Sequence, residues 1–418
     1  MNKLRQSGGG ATMSIMADHT PMNLIAIKSK AGRIESIDLL RGIVMIIMAL
    51  DHARDYFHYD AFMYNPTDLL KTNVPLFFTR WITHYCAPVF VFLAGISAYL
   101  YGVKKTRKDL SFFLLTRGVW LILAEFFILS FFRTFNPSYT YINLQVIWVI
   151  GLSMIFLSGM VYINNRIILI IAILFITTHN LLDAVHVQGN GLIAILWSIM
   201  HDVKRFTFGD FTFFIHYPLL PWLGIMALGY YYGSLYVAVY DTVKRKRILF
   251  LSGVGFVSLF IFLRFPNLYG DAAEWSLQKG SVYSFLSILN VSKYPPSLLY
   301  TLITLGPAMI FLAYAEKPLK AITGRIAVFG RVPMFYYLAH ILLIHILAVI
   351  AALITGHPDM IILSNGVNDT PALKGYGFNL FMVYMVWTGL VLLLYPFCKW
   401  FDHYKRTHVV TQWWLSYF

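Results

Sequence analysis

The chain has 418 residues, of which 58% are apolar, 17% aromatic and only 12% charged, with a formal net charge of +14. A soluble globular domain carries about a quarter charged residues, so an ordinary soluble fold is excluded. The positive balance does not point to nucleic acid: Lys and Arg sit in short clusters between apolar runs, at 104–108, 244–247, 317–325 and 399–406, as in positive-inside loops.

Residues 1–33 are mixed polar, include Gly8-Gly9-Gly10, and are read as a mobile cytoplasmic tail without a cleavable signal. Apolar runs long enough to cross about 30 Å of hydrocarbon as helices follow near 37–58, 80–103, 110–132, 143–163, 167–186, 213–239, 248–265, 296–315, 333–354 and 376–399. Backbone in lipid must satisfy its own hydrogen bonds, so the expected fold is all-α, a polytopic transmembrane bundle of about ten spans. The segment 191–200 is apolar but too short to cross and is expected as an interfacial helix. Long outer loops are expected at 59–79, 187–212, 266–295 and 355–375. An even number of spans with basic clusters inside puts both termini in the cytoplasm. One transmembrane domain is expected over 34–403, with a cytoplasmic C-terminal tail at 404–418. Cys86 and Cys398 lie in apolar spans and are not expected to pair. No internal repeat is visible, which argues against a transporter built from inverted halves.

Ionisable side chains inside spans cost roughly 2.5–3.5 kcal/mol at mid-membrane, so each needs a reason. The first span is the richest, with Asp38 and Arg41 early and Asp51-His52-Ala53-Arg54-Asp55 late. At 100° per residue Arg41 and His52 lie about 20° apart around the helix and about 16 Å apart along it. This one-sided stripe suits a long ligand with an anionic head at Arg41 and a reactive end at His52. Coenzyme A has that shape, and imidazole is the usual general base. Asp55, one turn on, is expected to orient the ring. The plainer alternative is that Arg41 snorkels to headgroups and His52 bonds a neighbouring helix.

Other spans add His84, the pair His179 and Asp183 one turn apart, and His216 before Pro218, all expected in the outer half with His52. His84 is expected to join proton transfer, and His179, Asp183 and His216 to contact an acceptor. No His-x-x-x-His or similar spacing supports a metal site, and none is expected. Arg117 and Arg331, at inner positions, are candidates for further phosphate contacts. His340 and His345 lie about 140° apart on one helix, so at most one should face a central site.

The stretch Arg33-Ile34-Glu35-Ser36-Ile37-Asp38-Leu39-Leu40-Arg41-Gly42 resembles the opening of the heparan-α-glucosaminide N-acetyltransferase catalytic family, bacterial branch. So do Pro88-Val89-Phe90-Val91-Phe92-Leu93-Ala94-Gly95 and Phe329-Gly330-Arg331-Val332-Pro333-Met334-Phe335-Tyr336-Tyr337. The ten residues separating Arg41 from His52 also look like the Arg/Lys-x10-His signature of the membrane acyltransferase-3 proteins, in which the histidine is essential. The resemblance implies transfer of an acetyl group from cytosolic acetyl-CoA to the amine or hydroxyl of a sugar or glycan on the outer side. It implies a multi-pass protein of the bacterial inner membrane, surrounded by lipid. His52, with Asp55 and His84, is then expected to be catalytic, and Arg41, Arg117 and Arg331 to hold coenzyme A. The sequence departs from the family pattern at His52, where an asparagine is usual, and at His84, where an aspartate is usual. Heparan is therefore not the expected acceptor. The competing functions are a transporter or flippase for a sugar or lipid-linked intermediate, and a structural membrane component. No motif sets the oligomeric state, and a homo-oligomer is allowed.

Overall fold

The computed structural model describes residues 34–417; the N-terminal tail expected at 1–33 lies outside the described residues. Helix α1 (Glu35–Phe57) is followed by α2 (Val74–Ile82), which runs through a tight turn into α3 (Cys86–Gly102). Helix α4 (Arg107–Leu123) passes through a π-helical turn at Ala124–Leu129 into α5 (Ser130–Thr134). Strand β1 (Tyr141–Leu144), α6 (Val146–Met160), α7 (Asn165–Thr178) and α8 (Leu192–Met200) come next. A hairpin of β2 (Lys204–Phe208) and β3 (Phe211–Ile215) leads into α9 (Leu219–Gly233) and α10 (Thr242–Arg264). The chain closes with α11 (Ser281–Leu289), α12 (Leu298–Tyr314), α13 (Ala321–Arg331), α14 (Pro333–Ile354) and α15 (Leu380–His408).

Among the described residues, six helical stretches are long and apolar enough to cross a membrane: Val74–Gly102, Arg107–Thr134, Asn165–Leu182, Thr242–Arg264, Pro333–Ile354 and Leu380–His408. The remaining expected spans differ for physical reasons. Helices α6 and α12 are apolar but shorter, and α9 has only 15 residues. Helix α1 has 23 residues but carries Asp38, Arg41, Asp51, Arg54 and Asp55. It packs against α3, α13, α14 and α15, so its charges meet protein partners rather than hydrocarbon. The expected domain boundary at 403 falls inside α15, and Leu415 beyond it is buried.

The all-α expectation is corrected by a three-stranded sheet of order β1-β3-β2. Strand β3 pairs parallel with β1 (Tyr141 opposite Thr212) and antiparallel with β2 (Lys204 opposite Ile215). Residues 204–215 alternate around Gly209-Asp210, with Gly209 at φ +58°, the signature of a two-residue hairpin. The phenylalanines of β3 raise the local hydropathy and merge it, in the sequence, with the apolar run of α9. Phe206 and Phe213 stack across the hairpin with ring centroids 5.0 Å apart.

Candidate active site

Helix α1 can approach α13 closely because both carry glycine at the crossing. A side chain at Gly330 would collide with the Asp38 carbonyl, and one at Gly42 with that of Ile326. This crossing places Arg41 against α13. Its guanidinium donates to the Gly330 carbonyl (3.1 Å) and to Ser97 Oγ on α3 (2.8 Å), and lies 3.3 Å from Asp38. Three neighbours thus fix the cation instead of leaving it to snorkel.

A cavity of about 970 Å³ follows α1 from Arg41 to Asp55. Around Arg41 it is lined by Ser97, Tyr101, Arg117, Arg331 and Lys405. Arg331 reaches it while paired to Asp402 (2.8 Å), and Arg117 lies over the Phe113 ring (5.7 Å). One and two turns of α1 further on, Met45 and Met48 line the walls, and beyond them His52 lines the cavity. The far end is polar and aromatic, with Arg80, Lys293, Tyr294, Arg205, Asp369 and His216.

His52 Nδ1 lies 2.8 Å from His340 Nε2, with the rings stacked 13° from parallel. His340 Nδ1 in turn lies 2.8 Å from the Tyr336 carbonyl. A carbonyl only accepts, so in a neutral pair His340 Nδ1 carries the proton and its Nε2 accepts. His52 Nδ1 must then donate, which leaves its Nε2 with a free lone pair. The relay assigns the tautomer a general base requires. The expectation that Asp55 orients His52 is corrected: Asp55 takes the Arg54 guanidinium at 2.6 Å, and His340 occupies the ring nitrogen it would need. His345, on the same helix, instead holds the Phe132 and Met360 carbonyls (2.9 and 3.0 Å).

Beside His52, Asp51 gathers cations. It accepts from Arg80 (2.7 and 2.9 Å) and Thr83 (2.9 Å), lies 2.8 Å from Arg54, and has Lys293 at 4.0 Å. Arg133 reaches the cavity from α5, just after the π-helical turn. It pairs with the fully buried Glu125 and donates to the Tyr337 hydroxyl at 2.9 Å. Glu125 also accepts from the Trp148 backbone at the start of α6 (3.1 Å). It is a support for Arg133 and does not itself line the cavity.

The other outer histidines separate. His216 lines the cavity against Tyr294, with ring centroids 3.9 Å apart. Burial, reinforced by Lys293 and Arg80, pushes it down to about 3, so it is neutral at ordinary pH. His84, expected in the catalytic set, does not line this cavity. It lines a separate pocket of about 260 Å³ behind Arg80, Lys293 and Tyr294, which face both spaces. His179 and Asp183, expected to contact an acceptor, do not line the cavity and instead join His201. Arg80, Arg133, Arg205 and Lys293, not singled out in the sequence, reach the cavity from α2, α5, β2 and the loop before α12.

The sequence profile described as heparan-alpha-glucosaminide N-acetyltransferase, catalytic, matches residues 33–266, over half of the chain. The chain belongs to this family. No curated protein matches it. The matched segment includes Arg41, His52, Arg117 and His216, whereas Lys293, Arg331 and His340 lie beyond it. As a family member with several membrane-length apolar helices, the protein is a multi-pass membrane acetyltransferase.

Proposed function

We propose that the protein transfers an acetyl group from cytosolic acetyl-CoA to an amine or hydroxyl of a sugar or glycan on the opposite face of the membrane. One observation carries this reading: a single cavity joins a cationic end at Arg41 to an imidazole held as a base at His52. Arg41, Arg117 and Arg331 bind the phosphates of coenzyme A by charge-assisted hydrogen bonds. The narrow pantetheine arm passes Met45 and Met48 and brings the thioester to His52. The acceptor lies among Tyr294, His216, Arg80 and Lys293.

In the transfer, His52 Nε2 takes the proton from the acceptor N–H or O–H as that atom attacks the thioester carbonyl. The C–S bond then breaks, the acetyl group stays on the acceptor, and the thiolate of coenzyme A receives the proton from His52. The Arg133–Tyr337 pair, beside the His52 ring (Tyr337 centroid 6.1 Å away), offers donors to the oxyanion of the tetrahedral intermediate. Acetylation of His52 itself as a transient carrier uses the same nitrogen.

The basic clusters at 104–108 and 244–247 support a cytoplasmic Arg41 end under the positive-inside rule. The setting is then the bacterial inner membrane with both termini cytoplasmic. The test is to reconstitute the full chain in liposomes, supply labelled acetyl-CoA on one side, and present a panel of amino sugars and glycans on the other. Label should appear in an acceptor with wild type and not with His52→Ala. Transfer unchanged in His52→Ala removes the mechanism. Solute movement without acetyl-CoA use replaces it with transport.

A further inference from the structure

At the end of α7, outside the cavity lining, three side chains converge from two segments. His179 and Asp183 stand four residues apart at the turn closing α7, and His201 caps the C-terminus of α8. His201 Nε2 lies 3.1 Å from Asp183 Oδ1, and one ligand atom from each of the three residues falls within 4.8 Å of the others. His179 and His201 are each 2% exposed. Yet neither nitrogen of His179 has a hydrogen-bond partner, and His201 Nδ1 has none. Burying an imidazole without partners is costly, and nothing in the packing of this turn repays it.

We infer that His179, Asp183 and His201 form a binding site for one zinc-class divalent cation. Two imidazoles and a carboxylate are a borderline-soft N₂O set, which suits zinc, with a water completing four ligands. Ligands around tetrahedral zinc stand ~3.4 Å apart. The His201–Asp183 pair already meets that spacing, and the widest pair would close by at most about 1.4 Å, within reach of side-chain rotation. Asn180 donates to the second oxygen of Asp183 at 2.8 Å, an outer support of the kind ligating carboxylates have. The Asp183 side chain is 23% exposed, which opens a route for the ion from solvent.

The sequence hides this site because only His179 and Asp183 are near neighbours; His201 arrives through the α8 segment. Three residues after His201 begins β2, whose Arg205 lines the cavity. The cation would therefore clip the α7 turn to the segment that delivers Arg205 to the acceptor end. The inference rests on these three side chains alone and holds whether or not the protein transfers acetyl groups.

The test uses the purified full chain, stripped with a chelator and titrated with Zn²⁺ against a chromophoric competitor, with the melting midpoint as a second readout. One equivalent should bind and raise the midpoint, and His179→Gln and Asp183→Asn should each lose that rise. His186→Ala, in the exposed pair with Asp202 close by, should keep it. Wild type that binds no zinc, or a rise retained in His179→Gln, overturns the site. His201→Cys loaded with Co²⁺ gives a check that does not depend on losing a ligand. A thiolate-to-cobalt charge-transfer band is expected, and cobalt bound without that band overturns the assignment of His201.

Discussion

Two pairs of histidines in this protein are built from the same side chain and have opposite surroundings. His52 and His340 share a hydrogen bond, and the relay ends on a backbone carbonyl. His179 and His201 share a carboxylate, with Asp183 bonded to one and beside the other. The first arrangement fixes one tautomer and turns a lone pair toward a cavity. The second gathers lone pairs and a negative charge toward one point off the cavity. What an imidazole does is thus set by whether its partner is an obligate acceptor behind it or an anion beside it.

The largest expected effect breaks the first pair. Removing a general base typically costs 10²–10⁴-fold, so His52→Ala should lower acetyl transfer by roughly 10²- to 10⁴-fold, measured in liposomes with labelled acetyl-CoA. Its melting midpoint should stay close to wild type. His340 acts through His52 and is a positioning residue. His340→Phe, which cannot accept from His52 Nδ1, should lower kcat ~10- to 100-fold with little change in KM, as for other residues that orient a reactive imidazole. His340→Gln keeps an acceptor and should recover much of that loss. Equal rates for the two variants would show that the His52 tautomer does not matter.

Arg41 is next in size. One charge-assisted hydrogen bond is worth about 1.5–3 kcal/mol, so Arg41→Met should raise the KM for acetyl-CoA by about 10-fold or more while kcat falls less. A loss confined to kcat would place Arg41 in the chemistry rather than in binding.

Legibility followed the helical period. The stripe from Arg41 to His52 could be read because one helix carries it, and the structure keeps both on one cavity wall. Asp55 lies on the same side and was read as the orienting group by proximity, but Arg54 next to it claims the carboxylate. His340 is 288 residues from His52, so no spacing could pair them. Arg80, Arg133, Arg205 and Lys293 stand on α2, α5, β2 and a loop, four separate segments whose distance in sequence says little about space. The hairpin was readable at Gly209-Asp210, but the phenylalanines of β3 made it resemble the start of a span.

His216 provides a smaller, pH-dependent effect on stability. Its ordinary value is 6.5, and burial with the surrounding cations holds it at about 3 in the folded protein. As pH falls from 6.5 toward 3, the unfolded chain takes the proton and the folded chain does not, so stability falls; above 6.5 the group contributes nothing. Wild type should therefore lose stability between pH 7 and pH 5 by roughly 2 kcal/mol more than His216→Phe, read as a difference in melting midpoint. An identical acid limb in the two proteins would mean that His216 is charged in the folded state.

The smallest expected effect tests the wall between the two pockets. His84 is expected at the same depth as His52, but it opens on the 260 Å³ pocket, behind Arg80, Lys293 and Tyr294. Its carbonyl accepts from the Tyr300 hydroxyl at 2.7 Å, and its ring meets the Tyr300 ring at a centroid distance of 5.5 Å. Those contacts hold the turn between α2 and α3, and nothing in them carries a proton toward His52. His84→Ala should change acetyl transfer by less than ~3-fold, within the roughly 0.6 kcal/mol left by a residue that touches no reacting group. A loss approaching that of His52→Ala would mean that Arg80 and Lys293 swing aside during turnover and join the two pockets into one acceptor site.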